Sequence, residues 1–162
     1  MVEMRLTRGA TLAEIEAVYR LRFTEFCSVA AAILRDGEAG RDAVQEAFAK
    51  AVRSRREFRR DGPLDAWLWR AVVNTAIRER GKRRPATLLA GDAATAELDR
   101  DDVRSVIQQL PERQRLVVFL RYWADLDYAT IAEALAIAPG TVAAALHAAH
   151  GSIRNSLEEV QT

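Results

Sequence analysis

Apolar residues recur at the spacing of an α-helix along nearly the whole chain, and this pattern limits the fold more than any other feature. The clearest example is the stripe of Val142, Leu146, Ala149, Ile153 and Leu157 near the C-terminus. Positions three and four apart share one face of a helix, so each such stripe predicts an amphipathic helix with one buried side. No stretch alternates apolar and polar residues as a half-buried strand would, and only 8 glycines and 4 prolines interrupt 162 residues. We therefore predict an all-α fold.

The helical pattern has one long break, which divides the chain into two parts. Residues 85–99 are rich in alanine and threonine, have weak periodicity and gather acidic side chains. We predict two small helical domains, residues 1–84 and 100–162, joined by this acidic linker. We expect three helices in the first domain: from the capping box at Thr11–Glu14 to Asp36-Gly37, from about 41 to 56, and from about 64 to 80.

Two tryptophans lie close together on the third of these helices. Trp67 falls on the apolar side that we expect to face the core. Trp69 is two residues further on and points to a different side of the helix. We expect Trp69 to be partly exposed.

Several classes of protein do not fit this sequence. A single cysteine, Cys27, and two histidines argue against a disulfide framework and against a zinc site. We find neither a glycine-rich phosphate loop nor a nucleophile paired with a base, so we expect no metal, no cofactor and no enzymatic activity. No apolar run approaches the roughly 20 residues of a membrane-spanning helix. The N-terminus lacks the pattern of a signal peptide, so we expect a cytoplasmic protein without membrane insertion.

The charges are distributed unevenly along the chain. The net charge is +1, from 24 basic and 23 acidic residues. Residues 53–84, however, hold 11 basic and 4 acidic side chains, a net charge of +7, whereas residues 85–162 have a net charge of −5. A basic helix end can simply complement the helix dipole. Eleven basic residues in this short segment exceed that need, which favours a site for a polyanion such as nucleic acid.

The second domain contains the pattern of a helix-turn-helix. A short helix over residues 128–135 is followed by a tight turn and by a longer helix from about 140 to 159. Such a unit can place its second helix in the major groove of DNA. A plain helical hairpin would have the same apolar pattern, so both interpretations stay open at this point.

A polar face is expected on the second helix. Asp42, Gln45 and Glu46 are spaced at i, i+3 and i+4, and they therefore share one side of that helix. This side could bind a basic or polar helix of another protein. It could equally be an ordinary solvated face.

Taken together, these segments resemble two conserved regions of bacterial sigma factors. Residues 42–48 (Asp-Ala-Val-Gln-Glu-Ala-Phe), residues 66–70 (Ala-Trp-Leu-Trp-Arg) and Asn74 are similar to the second conserved region. Residues 110–115, 128–135 and 140–142 are similar to the fourth. The resemblance covers roughly residues 15–84 and 100–158. Two such domains with a short linker resemble the extracytoplasmic-function (ECF) group of the sigma-70 family.

The resemblance implies that the protein binds core RNA polymerase and directs it to promoter DNA, without catalysing a reaction itself. The face of Asp42, Gln45 and Glu46 would dock on the clamp-helices coiled coil of the largest polymerase subunit. The linker would pass through polymerase channels that otherwise hold nucleic acid. Members of the group are often held by an anti-sigma factor, which is a possible further partner.

The resemblance also implies a binding site for the promoter minus-ten element, where a base leaves its stack and is held in a pocket. The implied residues lie on the loop before the third helix, on that helix and at its end: Phe58, Arg59, Arg60, Asp61, Gly62, Asn74, Arg78, Arg80, Lys82, Arg83 and Arg84.

The final helix departs from the pattern of the family. Relatives usually carry basic and polar residues after the Gly-Thr-Val motif, whereas residues 143–150 here are mostly alanine. Alanine can touch a thymine methyl group but offers neither a hydrogen bond nor a charge. We therefore expect weak reading of the minus-thirty-five element, or an apolar protein partner on this face. The remaining candidates for minus-thirty-five contacts are Arg113, Arg115, Thr141, His147 and Arg154.

The alternative function is a sigma-like regulator with weakened promoter reading that acts mainly through contacts with other proteins. Promoter-specific run-off transcription with core polymerase would separate this alternative from a working sigma factor. Tight, selective binding of residues 100–162 to a minus-thirty-five duplex would contradict the expectation of weak reading.

Overall fold

Every regular element in the part of the chain that the structure describes is a helix, which confirms the all-α class. The computed structural model describes residues 9–83 and 103–160. The predicted linker at 85–99 and the candidate Arg84 lie outside these residues. The helices are α1 (Leu12–Leu34), α2 (Gly37–Arg53), α3 (Leu64–Lys82), α4 (Val103–Gln109), α5 (Glu112–Tyr122), α6 (Tyr128–Leu135) and α7 (Pro139–Val160), with a 3₁₀ turn at Arg55–Glu57.

The start of α1 is fixed by the predicted capping box. The Thr11 hydroxyl oxygen accepts from the backbone N–H of Glu14 at 3.2 Å, and the Glu14 carboxylate accepts from the N–H of Thr11 at 2.7 Å. These two bonds satisfy amides that have no partner inside the helix. The helix ends at Arg35, which adopts the left-handed conformation with φ of 54°.

The second helix begins four residues earlier than predicted. Asp36 is its N-cap, because its carboxylate accepts from the N–H groups of Glu38 and Ala39 at 3.0 and 3.1 Å. We predicted only that Asp36-Gly37 would end α1, although the same aspartate also starts the next helix. The end of α2 also differs from the prediction: it stops at Arg53, and the 3₁₀ turn follows.

The core of the N-terminal domain lies between α1, α2 and α3. The ring of Phe26 contacts that of Trp69 at a centroid distance of 4.2 Å and that of Phe48 at 5.1 Å. The prediction for Trp69 was wrong, because this side chain is fully buried. It is Trp67 that is only half-buried, against Phe58. The reason is that α3 packs against α1, α2 and α6, so more of its circumference is covered than one apolar stripe suggests.

The C-terminal domain contains the predicted helix-turn-helix. Helices α6 and α7 meet at 103°, within the range typical of this motif. Asp127 caps α6 by accepting from the N–H of Thr130 at 2.8 Å, and Ala136 makes the turn with φ of 53°. The side chains of Ala132 and Val142 are buried at the junction. This geometry positions the outer face of α7 towards solvent.

The two domains contact each other directly. Helix α3 packs against α6, and α1 approaches α5. The Arg22 guanidinium donates to the backbone oxygen of Ala124 at 2.6 Å, and Arg80 lies 2.6 Å from the carboxylate of Glu112.

Among the described residues, no single helix has the length and composition of a membrane span. The α6–α7 pair meets these two criteria only when its sharply bent halves are taken together.

Candidate polymerase and nucleic-acid interfaces

The predicted polar face of α2 is present, but its three members differ in their surroundings. Asp42 and Gln45 are exposed, and neither side chain makes a hydrogen bond or ion pair within residues 9–83 and 103–160. Glu46 lies 2.7 Å from the ammonium of Lys50 and 3.0 Å from the guanidinium of Arg78. The hydrogen bond from Lys50 is the main cause that lowers the pKa of Glu46, so this carboxylate is ionised at neutral pH. Asp42 and Gln45 are therefore the groups most available to a partner.

The loop between α2 and α3 is held in place by two of its own residues. Phe58 is buried and packs on Trp67 at a ring distance of 5.5 Å. Arg60 forms two hydrogen bonds to the Glu14 carboxylate, at 3.0 and 2.8 Å, and a third to the backbone oxygen of Gly9. Both residues belong to the set predicted for minus-ten DNA. In this structure they shape the loop, and the ring of Phe58 is not presented to solvent.

The arrangement around Glu14 has a clear electrostatic consequence. The Arg60 hydrogen bond, followed by the bonds from Thr11, lowers the pKa of Glu14 from its ordinary 4.5 to about 2. The same contact raises the pKa of Arg60. The loop is therefore tied to the start of α1 by a pair that is charged at any physiological pH.

The solvent side of α3 carries a row of polar residues. Arg70, Asn74 and Arg78 follow one another at intervals of four, and all three are exposed. Arg70, Asn74 and the loop residue Arg59 make no side-chain hydrogen bond or ion pair with any described residue. These three groups are free to meet a phosphate or a base. The predicted set omits Arg70, although its spacing from Asn74 and Arg78 was visible in the sequence.

Four cations on α3 and at its C-terminal end are paired with carboxylates. Arg78 pairs with Glu46, Arg80 with Glu112 at 2.6 Å, Lys82 with Glu79 at 3.2 Å, and Arg83 with Asp36 at 3.4 Å. Partners such as Arg78 and Glu46 are 32 residues apart, so sequence spacing did not reveal them. The segment charge of +7 therefore overstates the positive charge that α3 and its loop present.

Asp61 and Gly62 complete the loop, and Gly62 lies against the other domain. A β-carbon at Gly62 would be 2.7 and 2.9 Å from the two carboxylate oxygens of Glu133 on α6. Asp61 is exposed. A side chain at position 62 would thus displace Glu133.

The candidates for minus-thirty-five DNA do not form one group. On α7, Ala143, Ala144, His147 and Ala148 are exposed, and Thr141 at its start is half-buried. Arg113 and Arg154 are exposed as well. The outer face of α7 thus presents His147 among small apolar side chains, as the sequence predicted.

Arg115 has a different position from the other candidates. Its side chain is buried, and the guanidinium donates to the backbone oxygen of Gln108 at 2.9 Å. Burial lowers the pKa of Arg115, and the nearby charges of Arg35 and Arg80 act in the same direction. This residue links α4 to α5 in the interior and is not part of a DNA-facing surface in this structure.

Three aromatic side chains on the C-terminal domain are exposed, which the apolar pattern did not predict. They are Tyr122, Trp123 and Tyr128. The Tyr122 hydroxyl is 2.8 Å from a ring nitrogen of His150. Trp123 packs edge-on against Phe119 at 5.2 Å.

The sequence matches two family profiles. The profile of sigma-70 region 2 matches residues 19–85, and that of sigma-70 region 4 matches residues 100–149. The chain is 32% identical over 147 residues to the RNA polymerase sigma-H factor of Pseudomonas aeruginosa, covering 77% of this chain and 76% of that protein. It is 31% identical over 141 residues to the ECF RNA polymerase sigma-E factor of Escherichia coli K12, covering 72% and 73%.

Two solved structures have a similar fold. One is CnrH in complex with the cytosolic domain of CnrY, with a TM-score of 0.71, 19% identity, and coverage of 93% of this chain and 91% of that chain. The other is the sigma factor RpoE in complex with the anti-sigma factor NepR from Bartonella quintana, with a TM-score of 0.68, 19% identity, and coverage of 91% and 98%. The two profiles and these relatives together show that this chain belongs to the ECF group of the sigma-70 family of RNA polymerase sigma factors.

Proposed function

We propose that this sigma factor binds core RNA polymerase through the polar face of α2. It directs the polymerase to promoters by binding their minus-ten strand on α3 and on the loop before that helix. The observation that carries the proposal is the position of the unpaired polar groups. Asp42 and Gln45 are exposed on α2, while Arg59, Arg70 and Asn74 are exposed on the loop and α3. The similar proteins of Pseudomonas and Escherichia are named RNA polymerase sigma factors, which supports the same role here.

The polymerase contact can be tested by reversing one charge. Asp42→Arg should abolish promoter-specific run-off transcription with core polymerase, because an exposed acidic contact becomes a like-charge repulsion. Glu16→Arg is the matched control, because Glu16 is also an exposed acid, lies on α1 and among the described residues pairs with Arg20 of its own helix. If the Asp42→Arg variant binds core polymerase as tightly as the wild type, Asp42 does not belong to the docking surface. If the wild type produces no specific transcript on any genomic template, the proposal of a working sigma factor fails.

The contact with the minus-ten strand can be tested at Arg70. If this side chain neutralises one phosphate of the single strand, Arg70→Ala should make the salt dependence of binding shallower by about 0.7 in a plot of log affinity against log salt. Arg20→Ala on α1 is the control, because Arg20 is exposed on a different helix. An unchanged salt dependence in Arg70→Ala would exclude Arg70 from the binding site.

We also propose that the minus-thirty-five element contributes less than the minus-ten element. The exposed face of α7 offers His147 among alanines, and Arg115 is buried. Scrambling the minus-thirty-five sequence of a transcribed template should therefore reduce the transcript much less than scrambling the minus-ten sequence. Equal losses would contradict weak reading by α7.

An inhibitory protein partner is the last part of the proposal. One of the solved structures of similar fold is a sigma factor in complex with an anti-sigma factor. We propose that an anti-sigma factor also binds this chain. Purification from the native cell without added polymerase should recover the protein with such a partner, and recovery of the free chain or of the polymerase complex alone would argue against it.

A further inference from the structure

The loop between α2 and α3 contains a backbone conformation that needs support from outside the loop. Arg60 has a φ of 60°, in the left-handed region. This region is unfavourable for a residue with a β-carbon, and such a residue stays there only when its surroundings fix it. Arg60 lies within residues 58–62, the loop that we propose to bind the minus-ten strand. Whatever fixes Arg60 therefore also fixes the shape of this loop.

The support comes from the start of α1. The Arg60 guanidinium donates to both carboxylate oxygens of Glu14, at 3.0 and 2.8 Å, and its Nε–H donates to the backbone oxygen of Gly9 at 2.9 Å. A planar guanidinium that bonds a carboxylate through two N–H groups has a fixed orientation. Glu14 is itself held, because its carboxylate accepts from the backbone N–H of Thr11 at 2.7 Å. We call the three hydrogen bonds of Arg60 the loop anchor.

The same N-terminal segment also lies against the 3₁₀ turn before the loop. The backbone N–H of Ala10 donates to the backbone oxygen of Arg55 at 2.8 Å. A β-carbon at Gly9 would lie 2.7 Å from that oxygen and 2.7 Å from the α-carbon of Arg56. Only glycine permits such a close approach, and its φ of 98° also favours glycine. Residues 9–10 therefore contact the chain both at the turn and at Arg60.

Arg59 and Arg60 are neighbours in the loop, but their side chains have different surroundings. Arg59 is exposed and makes no side-chain hydrogen bond or ion pair with any described residue. The guanidinium of Arg60 instead directs three N–H groups at the protein, and the carboxylate of Glu14 compensates its charge. A phosphate would have to displace Glu14 to bind Arg60 through the same N–H groups. The two arginines are therefore placed for different roles.

We propose that Arg60 is a positioning residue of the minus-ten site, which acts through the loop anchor and does not contact the strand. This inference rests on the proposed minus-ten site. A loop that is already in its binding conformation loses less conformational entropy when the strand binds, so the anchor raises the affinity without adding a contact. Glu14 shares this role, although it lies on α1 and outside the residues implied for DNA binding.

The test measures the affinity of the full chain for a labelled single strand that spans the minus-ten element of a promoter it transcribes. Fluorescence anisotropy over a series of salt concentrations gives both the affinity and its salt dependence. Glu14→Gln removes the charge of the anchor but keeps an oxygen that can accept from Thr11. If the loop then keeps its binding conformation for only about a tenth to a third of the time, the affinity should fall roughly three- to tenfold. A direct contact of Arg60 with DNA predicts the opposite sign, because Glu14→Gln frees a cation and removes a negative charge.

Two substitutions of Arg60 separate backbone support from charge. Arg60→Ala removes the anchor and leaves a β-carbon in the left-handed region, so it should lower the affinity as Glu14→Gln does. Arg60→Gly also removes the guanidinium, but glycine adopts this φ without support, so this variant should bind the strand more tightly than Arg60→Ala. In the Arg60→Gly background, Glu14→Gln should have no further effect. The salt dependence of Arg60→Ala should equal that of the wild type, whereas loss of a phosphate contact would make it shallower by about 0.7.

Ile33→Val is the matched control for a general loss of stability. Ile33 is buried near the C-terminal end of α1, about 28 Å along the helix axis from Glu14. Removal of a buried methylene group destabilises the fold but leaves the loop anchor intact. The affinity of this variant for the strand should equal that of the wild type, with the melting temperature of every variant measured alongside.

Any of five results would overturn the role of Arg60. They are unchanged or tighter binding by Glu14→Gln, a shallower salt dependence of Arg60→Ala, equally weak binding by Arg60→Gly and Arg60→Ala, a further loss from Glu14→Gln in the Arg60→Gly background, and a loss in Ile33→Val as large as that in Glu14→Gln. A wild type that binds no minus-ten strand would instead contradict the proposed function itself, so the two failures can be told apart.

Discussion

At the scale of single residues, Trp69 is the largest side chain that is fully buried in the described part of the chain. Its ring is fully buried against Phe26, whereas Trp67 is half-buried. Trp69→Ala should lower the free energy of unfolding by about 3–5 kcal/mol, because it leaves a large cavity. Trp67→Ala should lower the free energy of unfolding by clearly less. Urea unfolding monitored by circular dichroism gives both free energies, and equal losses would contradict the assignment of Trp69 to the core.

Trp69→Phe makes a finer comparison at the same position. The indole N–H of Trp69 is buried without a hydrogen-bond partner among the described residues. Phenylalanine keeps most of the ring volume and removes this unpaired donor, whose burial is unfavourable. The phenylalanine variant should therefore retain most of the stability that the alanine variant loses.

Glu14 provides a pH-dependent test of the loop anchor. Its pKa is lowered to about 2, chiefly by Arg60, so its ionised form is the one that the folded state stabilises. That contribution is complete above pH 4.5 and is lost as the pH falls through about 2. Glu14→Gln should therefore lower the melting temperature at pH 7, and the difference from wild type should shrink between pH 4.5 and 2. A difference that stays constant over this range would show that the charge of Glu14 is not involved.

At the scale of helices, the apolar pattern predicted which elements exist better than where they begin. The capping box of α1 was readable because its partners, Thr11 and Glu14, are three residues apart. The start of α2 was missed because its N-cap, Asp36, directly follows Arg35, the C-cap of α1, so that no loop separates the two helices. The burial of Trp69 was missed because the ring that covers it, Phe26, belongs to another helix, and spacing within α3 does not reveal such a contact.

Asp36 is a direct test of that boundary. Its carboxylate caps α2, and the N–H of Ala39 is the main cause that lowers its pKa. Asp36→Ala should lower the free energy of unfolding by about 1 kcal/mol, as other N-cap truncations do. Thermal or urea unfolding measures this loss. Asp36→Asn keeps an acceptor oxygen and should cost much less. If both variants lose the same stability, the charge pair with Arg83 is the important contact and the cap is not.

At the scale of the whole molecule, the sequence predicted two domains but not their contact. The candidate interfaces were assigned from segments that resemble the second and fourth regions of sigma factors. The two family profiles match the chain in the same order. Which arginines remain unpaired depends on carboxylates brought in by folding, as Glu112 is to Arg80. Charge counted by segment located the basic region, whereas only the folded arrangement separates its free cations from its paired ones.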